Sequence, residues 1–284
     1  MQKTLAVGSS SFALMRKENR YYVDKTGFIR DLLENGKFVQ LITRPRRFGK
    51  SLFLDTLRTF LSVNPNRPGD TTLQQELFAG LEILENKAFC EHYMGQIPVL
   101  FLSLKEAEGL SFERAYRALA YKLAGTAQMH GYLLESPRLT DNDKVLLREY
   151  ASRSFTGDLT NIDAVAMFVG DMLTFLAKHF ERPAMLLIDE YDVPLSKAAA
   201  GGYYEEMCAF LRAFLSILKP EGGPLVHGLP VLNKAVLTGC LRVSKESIFT
   251  GVNNFSVNTV CSEEDPALDA AIGFTESEVA TLLE

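Results

Sequence analysis

Short apolar runs alternate along this chain with longer amphipathic segments, and the alternation predicts strands connected by helices. Residues 37–43, 97–104, 184–188 and 234–238 (KFVQLIT, IPVLFLSL, AMLLI and KAVLT) have the length and apolar content of strands buried in a sheet. Between them, apolar residues recur at helical spacing. This order predicts right-handed crossovers, and therefore an α/β fold with a mostly parallel sheet covered by helices on both faces.

Polar caps and stop signals mark several helix boundaries. Ser111 is placed to cap the helix that follows it, and Asn161 to cap a long helix that ends at Arg182-Pro183. Residues 63–95 are turn-rich, with one short helical pattern at 73–77, so we expect an insertion there rather than a domain.

The last ten residues predict the start of another helix. Thr275 and Glu278 form a capping box, and an apolar stripe begins at Val279. A helix this short seldom holds without further packing. We therefore expect one domain over residues 1–272, followed at 273–284 by the start of a truncated C-terminal helical region.

Composition and charge narrow the classes of ligand. Thirty Lys and Arg residues against 35 Asp and Glu residues leave a formal net charge of −5. Without an overall positive field, we expect no direct binding of nucleic acid by this chain. No apolar run reaches the ~18 residues of a membrane span, and the N-terminal residues lack the apolar core of a signal peptide, so no membrane association is expected.

Cysteine and histidine spacing argues against a transition-metal site. The four cysteines are scattered without C-x-x-C spacing, and the four histidines are widely separated. We expect reduced cysteines, a cytoplasmic location and no histidine or cysteine metal centre.

Residues 44–51 (RPRRFGKS) lie between a predicted strand and a predicted helix. They match the phosphate-loop pattern G-x-x-x-x-G-K-[ST] except at the first glycine, which is Arg44. In such a loop, backbone N–H groups surround the phosphates, the lysine bridges two of them and the hydroxyl ligates Mg²⁺. The alternative interpretation is an exposed turn with a solvated basic run. The predicted nucleotide-binding residues are Arg44, Arg46, Arg47, Phe48, Gly49, Lys50, Ser51 and Leu52, with Ser51 also a metal ligand.

An acidic pair follows the apolar run at 184–188. Asp189 is predicted to hold Mg²⁺ and Glu190 to activate the attacking water, because hydrolysis needs a positioned base beside the metal. An acidic loop after a core strand is common, but its occurrence after a phosphate loop favours the functional interpretation. Asp192 is a weaker candidate for a further ligand.

The strand at 234–238 ends in polar residues that extend the candidate catalytic set. Thr238 is placed at the strand end to orient water or sense the γ-phosphate, and Arg242 to stabilise charge in the transition state. A threonine at a strand end is also ordinary turn chemistry, so this signal is weaker than the acidic pair.

Several longer motifs occur together in one order. YVDKT (22–26) precedes RPRRFGKS, LIDEYD (187–192) contains the acidic pair, and LTGCLRVSKESIF (237–249) begins in the last strand. With these motifs the chain resembles a family of AAA-ATPase-like proteins of bacteria and archaea, from about residue 10 to the end.

The resemblance implies properties that the residue patterns do not provide. It implies that Arg44 is the family's own form of the loop, and that a P-loop NTPase core has an extra strand, residues 97–104, between the phosphate-loop strand and the acidic strand. It also implies a C-terminal nuclease-like domain of the PD-(D/E)XK type in the longer protein, and ATP as the ligand. A homo-oligomer is a separate expectation.

Two classes of function fit these residues best. The first is a Mg²⁺-dependent ATPase whose hydrolysis drives a conformational switch that controls a partner or downstream domain. The second is a scaffold that binds nucleotide without hydrolysing it. Glu190 favours hydrolysis, because a binder needs Lys50 and Ser51 but no catalytic base. A kinase is less favoured, because the sequence shows no pocket for a molecule that would accept the phosphate.

Overall fold

The computed structural model describes residues 8–219, 223–241, 248–249, 255–259 and 270–283. It has an α/β fold in which a parallel sheet of five strands is flanked by helices, as predicted. Among the described residues the strands are β1 (Val39–Thr43), β2 (Val99–Ser103), β3 (Ala184–Asp189), β4 (Leu225–Val226), β5 (Leu229–Pro230), β6 (Leu232–Gly239) and β7 (Phe255–Asn258).

The strand order of the main sheet is β2-β3-β6-β1-β7, while β4 and β5 form a separate antiparallel pair. β2 pairs in parallel with β3, with Ser103 opposite Asp189, and β3 pairs in parallel with β6, with Ile188 opposite Leu237. Every residue of β3 is buried, which explains why this strand is a continuous apolar run in the sequence.

An extra strand separates β1 from β3 in the sheet, but it is not the strand at 97–104. That place belongs to β6, and β2 lies at the edge of the sheet on the other side of β3. The expected assignment is therefore corrected. Strands that follow one another in the chain need not be neighbours, because a crossover helix can carry the chain past an intervening strand.

The described helices include those that the sequence predicts, apart from the undivided helix expected after Asn161, and several that it does not. Ser111 caps its helix by accepting the N–H of Arg114, and Thr275 and Glu278 form the predicted capping box, with distances of 2.7 and 3.3 Å. The helices of the described ranges are α1 (Phe12–Lys17), α2 (Phe28–Glu34), α3 (Lys50–Leu61), α4 (Thr72–Phe78), α5 (Lys87–Tyr93), α6 (Phe112–Met129), α7 (Asp141–Ala151), α8 (Arg153–Thr156), α9 (Ile162–Ala166), α10 (Phe168–Phe180), α11 (Val193–Gly201), α12 (Tyr204–Phe214) and α13 (Glu276–Leu283).

The long helix predicted to start at Asn161 is divided in two. α9 and α10 are separate, and the segments Leu159–Ala166 and Phe168–Phe180 meet at 47°. The Asn161 side chain donates to the carbonyl oxygen of Phe155 and does not cap a helix. The periodicity could not reveal this break, because the buried face continues through Val165 and Phe168 on either side of it.

Within the part of the chain that the structure describes, no single helix is long and apolar enough to span a membrane. The bent pair of α9 and α10 meets that test of length and composition only when its two segments are taken together. Apolar residues of α10, among them Phe168, Met172 and Leu176, are buried inside the protein.

Residues 63–95 contain more helix than their sequence predicts. Besides α4, they form a 3₁₀ turn, Glu82–Glu85, and α5. Elements of one or two turns leave little periodicity to detect. Tertiary packing stabilises them instead: the ring centroids of Phe78 and Phe89 lie 5.3 and 6.0 Å from that of Phe60 in α3.

Packing divides the chain into two compact units. Unit 1 comprises Met1–Gly36, Ile42–Ile97 and Val257–Glu284, and unit 2 comprises Lys37–Leu41 and Pro98–Ser256. Each described part has its own apolar core. Unit 1 buries Phe12, Ile29, Leu32, Leu57, Phe60 and Phe78, and unit 2 buries Leu119, Leu173, Leu186, Leu187, Leu211 and Val236.

Candidate functional site

The phosphate-loop residues connect β1 to the first residue of α3, as the strand–loop–helix order predicts. The loop is exposed from Pro45 to Gly49. Gly49 has φ 91° and Arg47 has φ 68°, and this left-handed backbone costs roughly 1 kcal/mol at a residue other than glycine. The first N–H groups of α3 have no partners within the helix, so a helix start after such a loop suits an anion.

Lys50 brings a buried ammonium group to the start of this helix. Its side chain is buried, and Nζ donates to the carbonyl oxygens of Arg44 at 2.9 Å and Pro45 at 3.0 Å. The ammonium group adds to the partial positive charge of the helix N-terminus. Ser51 and Leu52, both half-buried, follow in the first turn, while Arg46 and Phe48 lie in the exposed loop.

Arg44, which replaces the first glycine of the motif, connects two strand ends. Its guanidinium group is buried and donates to the carbonyl oxygen of Thr43, to the carbonyl oxygen of Asn258 and, at 2.6 Å, to the Asn258 side chain. These contacts are to protein atoms, so they give Arg44 a structural role at the base of the loop. Whether it also contacts phosphate stays a prediction.

Phe48 of the loop lies near the segment before α13. A methyl group added at Gly273 would lie 3.4 Å from the Phe48 ring, and the Gly273 backbone has φ 99°. The positive φ favours glycine at this turn, whereas a methyl group would make only ordinary van der Waals contact with the ring. Within unit 1, the Phe48 ring of the phosphate loop therefore lies near Gly273 of the C-terminal segment.

The YVDKT residues hold the elements of unit 1 together. Asp24 accepts the N–H groups of Thr26 and Glu82, and the Thr26 hydroxyl accepts the N–H of Ile83. Lys25 donates to the carbonyl oxygen of Ala270 and forms an ion pair with Glu278 of α13 at 2.6 Å.

Tyr22 extends this arrangement to α3. Burial raises the pKa of the Tyr22 hydroxyl, which makes a side-chain hydrogen bond to Thr56. The motif that precedes the phosphate loop therefore supports α3 and α13 through buried and half-buried contacts.

The acidic pair lies at the end of β3, as predicted. Asp189 is buried, and its Oδ1 accepts a 2.6 Å hydrogen bond from the hydroxyl of Thr238, which is fully buried at the end of β6. The two predicted residues are thus brought together by neighbouring parallel strands. Such a short, buried hydrogen bond holds the Asp189 carboxylate in one orientation.

Glu190 is half-buried and has a backbone φ of 54°. A left-handed conformation at a residue other than glycine stores strain, and strained residues are concentrated at functional sites. Asp192 is buried and accepts two backbone N–H bonds from the turn after β6. Arg242 lies outside the described residues.

The oxygen donors of these segments fit Mg²⁺. Within the described ranges no group of three or more His, Cys, Asp or Glu residues is arranged to hold a metal ion. Mg²⁺ is usually bound by only one or two protein oxygens together with substrate phosphates and water. Asp189 of β3 carries a carboxylate and Ser51 of α3 a hydroxyl, both hard oxygen donors, and their binding of Mg²⁺ stays a prediction.

Fold, loop and acidic strand end define the class. The first strand of the parallel sheet leads through a G-K-S loop into a helix, and a buried aspartate ends another strand. This arrangement is typical of P-loop nucleotide-binding proteins. The chain belongs to the family described as Predicted AAA-ATPase, whose model matches residues 6–249.

One curated relative is an uncharacterized protein in the vnfD 5′ region of Azotobacter chroococcum mcd 1. It is 30% identical over 280 residues, which cover 98% of this chain but 44% of the relative. The chain therefore spans less than half of that protein. No solved structure matches the chain.

Sequence reasoning missed four residues that shape these segments. Asn258 anchors Arg44, Gly273 receives Phe48, and Gly239 and Tyr191 pack against each other at the end of β6. Tyr191 and Gly239 lie within the sequence motifs, but the motifs alone do not indicate a role for either residue. Asn258 had no detectable signal, because β7 is a short strand that the pattern did not reveal.

Proposed function

We propose that this protein binds Mg²⁺-ATP and hydrolyses it. The observation that carries the proposal is the buried ammonium group of Lys50, held by two loop carbonyl oxygens at the positive end of α3. Concentrating positive charge in this way is favourable when the ligand is a polyanion. Membership of the family supports a nucleotide as that ligand, and ATP over other nucleotides rests on the resemblance.

The acidic strand end supports hydrolysis rather than binding alone. Mg²⁺, held by Asp189 and Ser51, would neutralise phosphate charge. Thr238 fixes the orientation of the Asp189 carboxylate, and Glu190 accepts a proton from the attacking water. A non-hydrolysing scaffold would have no need of a strained glutamate directly after the metal-binding aspartate.

Nucleotide turnover drives a conformational switch in the longer protein. The proximity of Phe48 to Gly273 supports this part of the proposal, because a phosphate loop that reorganises around its ligand would move a ring that lies near the C-terminal segment. A C-terminal nuclease-like domain, which rests on the resemblance alone, and a cytoplasmic location, which rests on composition alone, belong to the same proposal, as does a homo-oligomer.

Calorimetric titration of the Lys50→Ala variant tests nucleotide binding. The lost charge-assisted contact is worth roughly 1.5 to 3 kcal/mol, so the affinity for Mg²⁺-ATP should fall by about 10- to 100-fold. Lys87→Ala, which removes an exposed lysine from α5, is the matched control and should bind as the parent does. Equal affinity in the two variants would exclude the phosphate-loop interpretation.

The same titration distinguishes the ligand class. GTP in place of ATP tests the base preference, and omission of Mg²⁺ tests the metal. If the parent binds Mg²⁺-ATP but releases no phosphate, the scaffold function replaces hydrolysis.

A further inference from the structure

Tyr191 and Asp192, which follow Glu190, form hydrogen bonds to the turn at the end of β6. Oδ2 of Asp192 accepts the N–H groups of Cys240 at 3.1 Å and Leu241 at 2.8 Å. The Tyr191 hydroxyl donates to the carbonyl oxygen of Leu241 at 2.6 Å, and the Tyr191 N–H donates to that of Thr238 at 3.0 Å. Four hydrogen bonds therefore connect the end of β3 to the end of β6, across about 50 residues of sequence.

The side chains of Tyr191 and Asp192 are tightly packed against this turn. Tyr191 and Asp192 are 1% and 3% exposed. A methyl group at Gly239 would lie 2.5 Å from Asp192 Oδ1 and 2.6 Å from the Tyr191 ring. Only glycine therefore fits at position 239, where the backbone lies close to the Tyr191 ring and to Oδ1 of Asp192.

Oδ1 of Asp192 has no hydrogen-bond partner within the part of the chain that the structure describes. Gly239 lies close beside this oxygen, because a methyl group at Gly239 would come within 2.5 Å of it. The weaker expectation that Asp192 ligates the metal stays a prediction.

This hydrogen-bonded turn and the pair that holds it directly adjoin the candidate catalytic residues in the chain. Thr238, which orients Asp189, directly precedes the turn, and Glu190 directly precedes the gripping pair. The strained backbone of Glu190 is thus held between β3 on one side and the β6 turn on the other. A strained conformation persists only where its surroundings determine it, and these four bonds do so.

We propose that Asp192 and Tyr191 are positioning residues for nucleotide hydrolysis. By locking the end of β6 to the segment after β3, they set the position of the Glu190 carboxylate relative to the Thr238–Asp189 pair. This inference rests on the proposed hydrolysis of ATP and assigns neither residue a contact with nucleotide or metal.

Replacement of Asp192 by Asn and by Ala separates hydrogen bonding from charge. Asparagine keeps an oxygen for the two N–H groups, so Asp192→Asn should bind Mg²⁺-ATP and release phosphate within about 3-fold of the parent. Asp192→Ala loses both bonds, and its kcat should fall by about 10- to 100-fold with KM little changed, since small displacements of a catalytic group cost rates of this order. An Asn variant as slow as the Ala variant would mean that the charge is needed and would overturn the proposal.

Tyrosine variants separate positioning from a merely structural role. Tyr191→Phe removes only the hydrogen bond to Leu241, while Tyr203→Phe removes an equally buried bond, 2.7 Å to the carbonyl oxygen of Gly109. Both should lower the melting temperature by a similar amount, but only Tyr191→Phe should lower kcat per folded molecule. Equal kcat values in the two variants would overturn the proposal.

The parent protein distinguishes the two levels of inference. A parent that neither binds nor hydrolyses ATP overturns the proposed function, and the positioning role with it. A parent that hydrolyses ATP, together with an Asp192→Ala variant of unchanged kcat, overturns the positioning role alone.

Discussion

At the residue scale, the proposed hydrolysis depends on the Glu190 carboxylate. Glu190→Gln keeps the size of the side chain but removes its basicity, so Mg²⁺-ATP should still bind while phosphate release falls by roughly 10²- to 10⁴-fold. Steady-state phosphate release and calorimetric affinity, measured on the same folded sample, check this expectation. Release at the parent rate would show that Glu190 is not the base.

Asp189→Asn is the comparison for that variant, because it changes the neighbouring carboxylate. It weakens the proposed metal site itself, so both the rate and the Mg²⁺ dependence of ATP binding should decrease. Loss of rate with an unchanged Mg²⁺ dependence would count against Asp189 as the ligand.

Lys234 in β6 makes stability depend on pH. Burial, and then the nearby charge of Lys37, lower the pKa of Lys234 to about 8. Between pH 8 and the ordinary lysine pKa, the unfolded chain holds a proton that the folded chain has lost, so the free energy of unfolding should rise with pH over this range.

The contribution of this residue should be at most about 3 kcal/mol. Chemical denaturation of Lys234→Met at several pH values should show a smaller rise than the parent, whereas Lys87→Met, at an exposed site, should follow the parent. The expectation fails if all three proteins show the same pH dependence.

At the element scale, α13 is held by the side chain of Glu278. Burial acts to raise the pKa of this carboxyl, but hydrogen bonds from Lys25 and Thr275 outweigh it and lower the pKa. The carboxylate therefore stabilises the fold above its ordinary pKa, and this stabilisation is lost as the pH falls. Charge-assisted hydrogen bonds of this kind connect the YVDKT segment to the start of the helix.

Glu278→Gln should weaken this attachment by about 1 kcal/mol, because it removes the charge but keeps one capping oxygen. Hydrogen exchange of the α13 amides should become faster by about 5-fold in unit 1. Glu276→Gln, at an exposed position of the same first turn, controls for the helix dipole and should change exchange less. Equal exchange in both variants would show that the Lys25 contact does not hold the helix.

At the scale of the whole molecule, nucleotide binding should stabilise the folded chain. Mg²⁺-ATP at about 100 times its dissociation constant should add about 2.7 kcal/mol to the free energy of unfolding, because the ligand binds the folded state alone. A thermal melt with and without nucleotide measures the effect. Lys50→Ala should lose this stabilisation at the same concentration, and a variant that keeps it would contradict the role of the ammonium group.

Local interactions explain which features the sequence could predict. The Ser111 cap, the Thr275–Glu278 capping box and the G-K-S loop before α3 depend on groups within a few residues of one another. The buried run of β3 depends only on which side chains are apolar. Such features can be recognised in the sequence, because the interacting residues, or the residues that form the repeating pattern, all lie within a short window.

By itself, the sequence therefore determined the α/β class, the phosphate loop, and the polar ends of β3 and β6. Only the tertiary structure decided that β6 lies between β1 and β3, that Arg44 bonds to Asn258 across 214 residues, and that Asp192 grips a turn 48 residues away. The physical reason is that these contacts depend on strand order and crossover path. Both are decided by packing of the whole sheet, and the periodicity of a segment carries no information about which distant strand will become its neighbour.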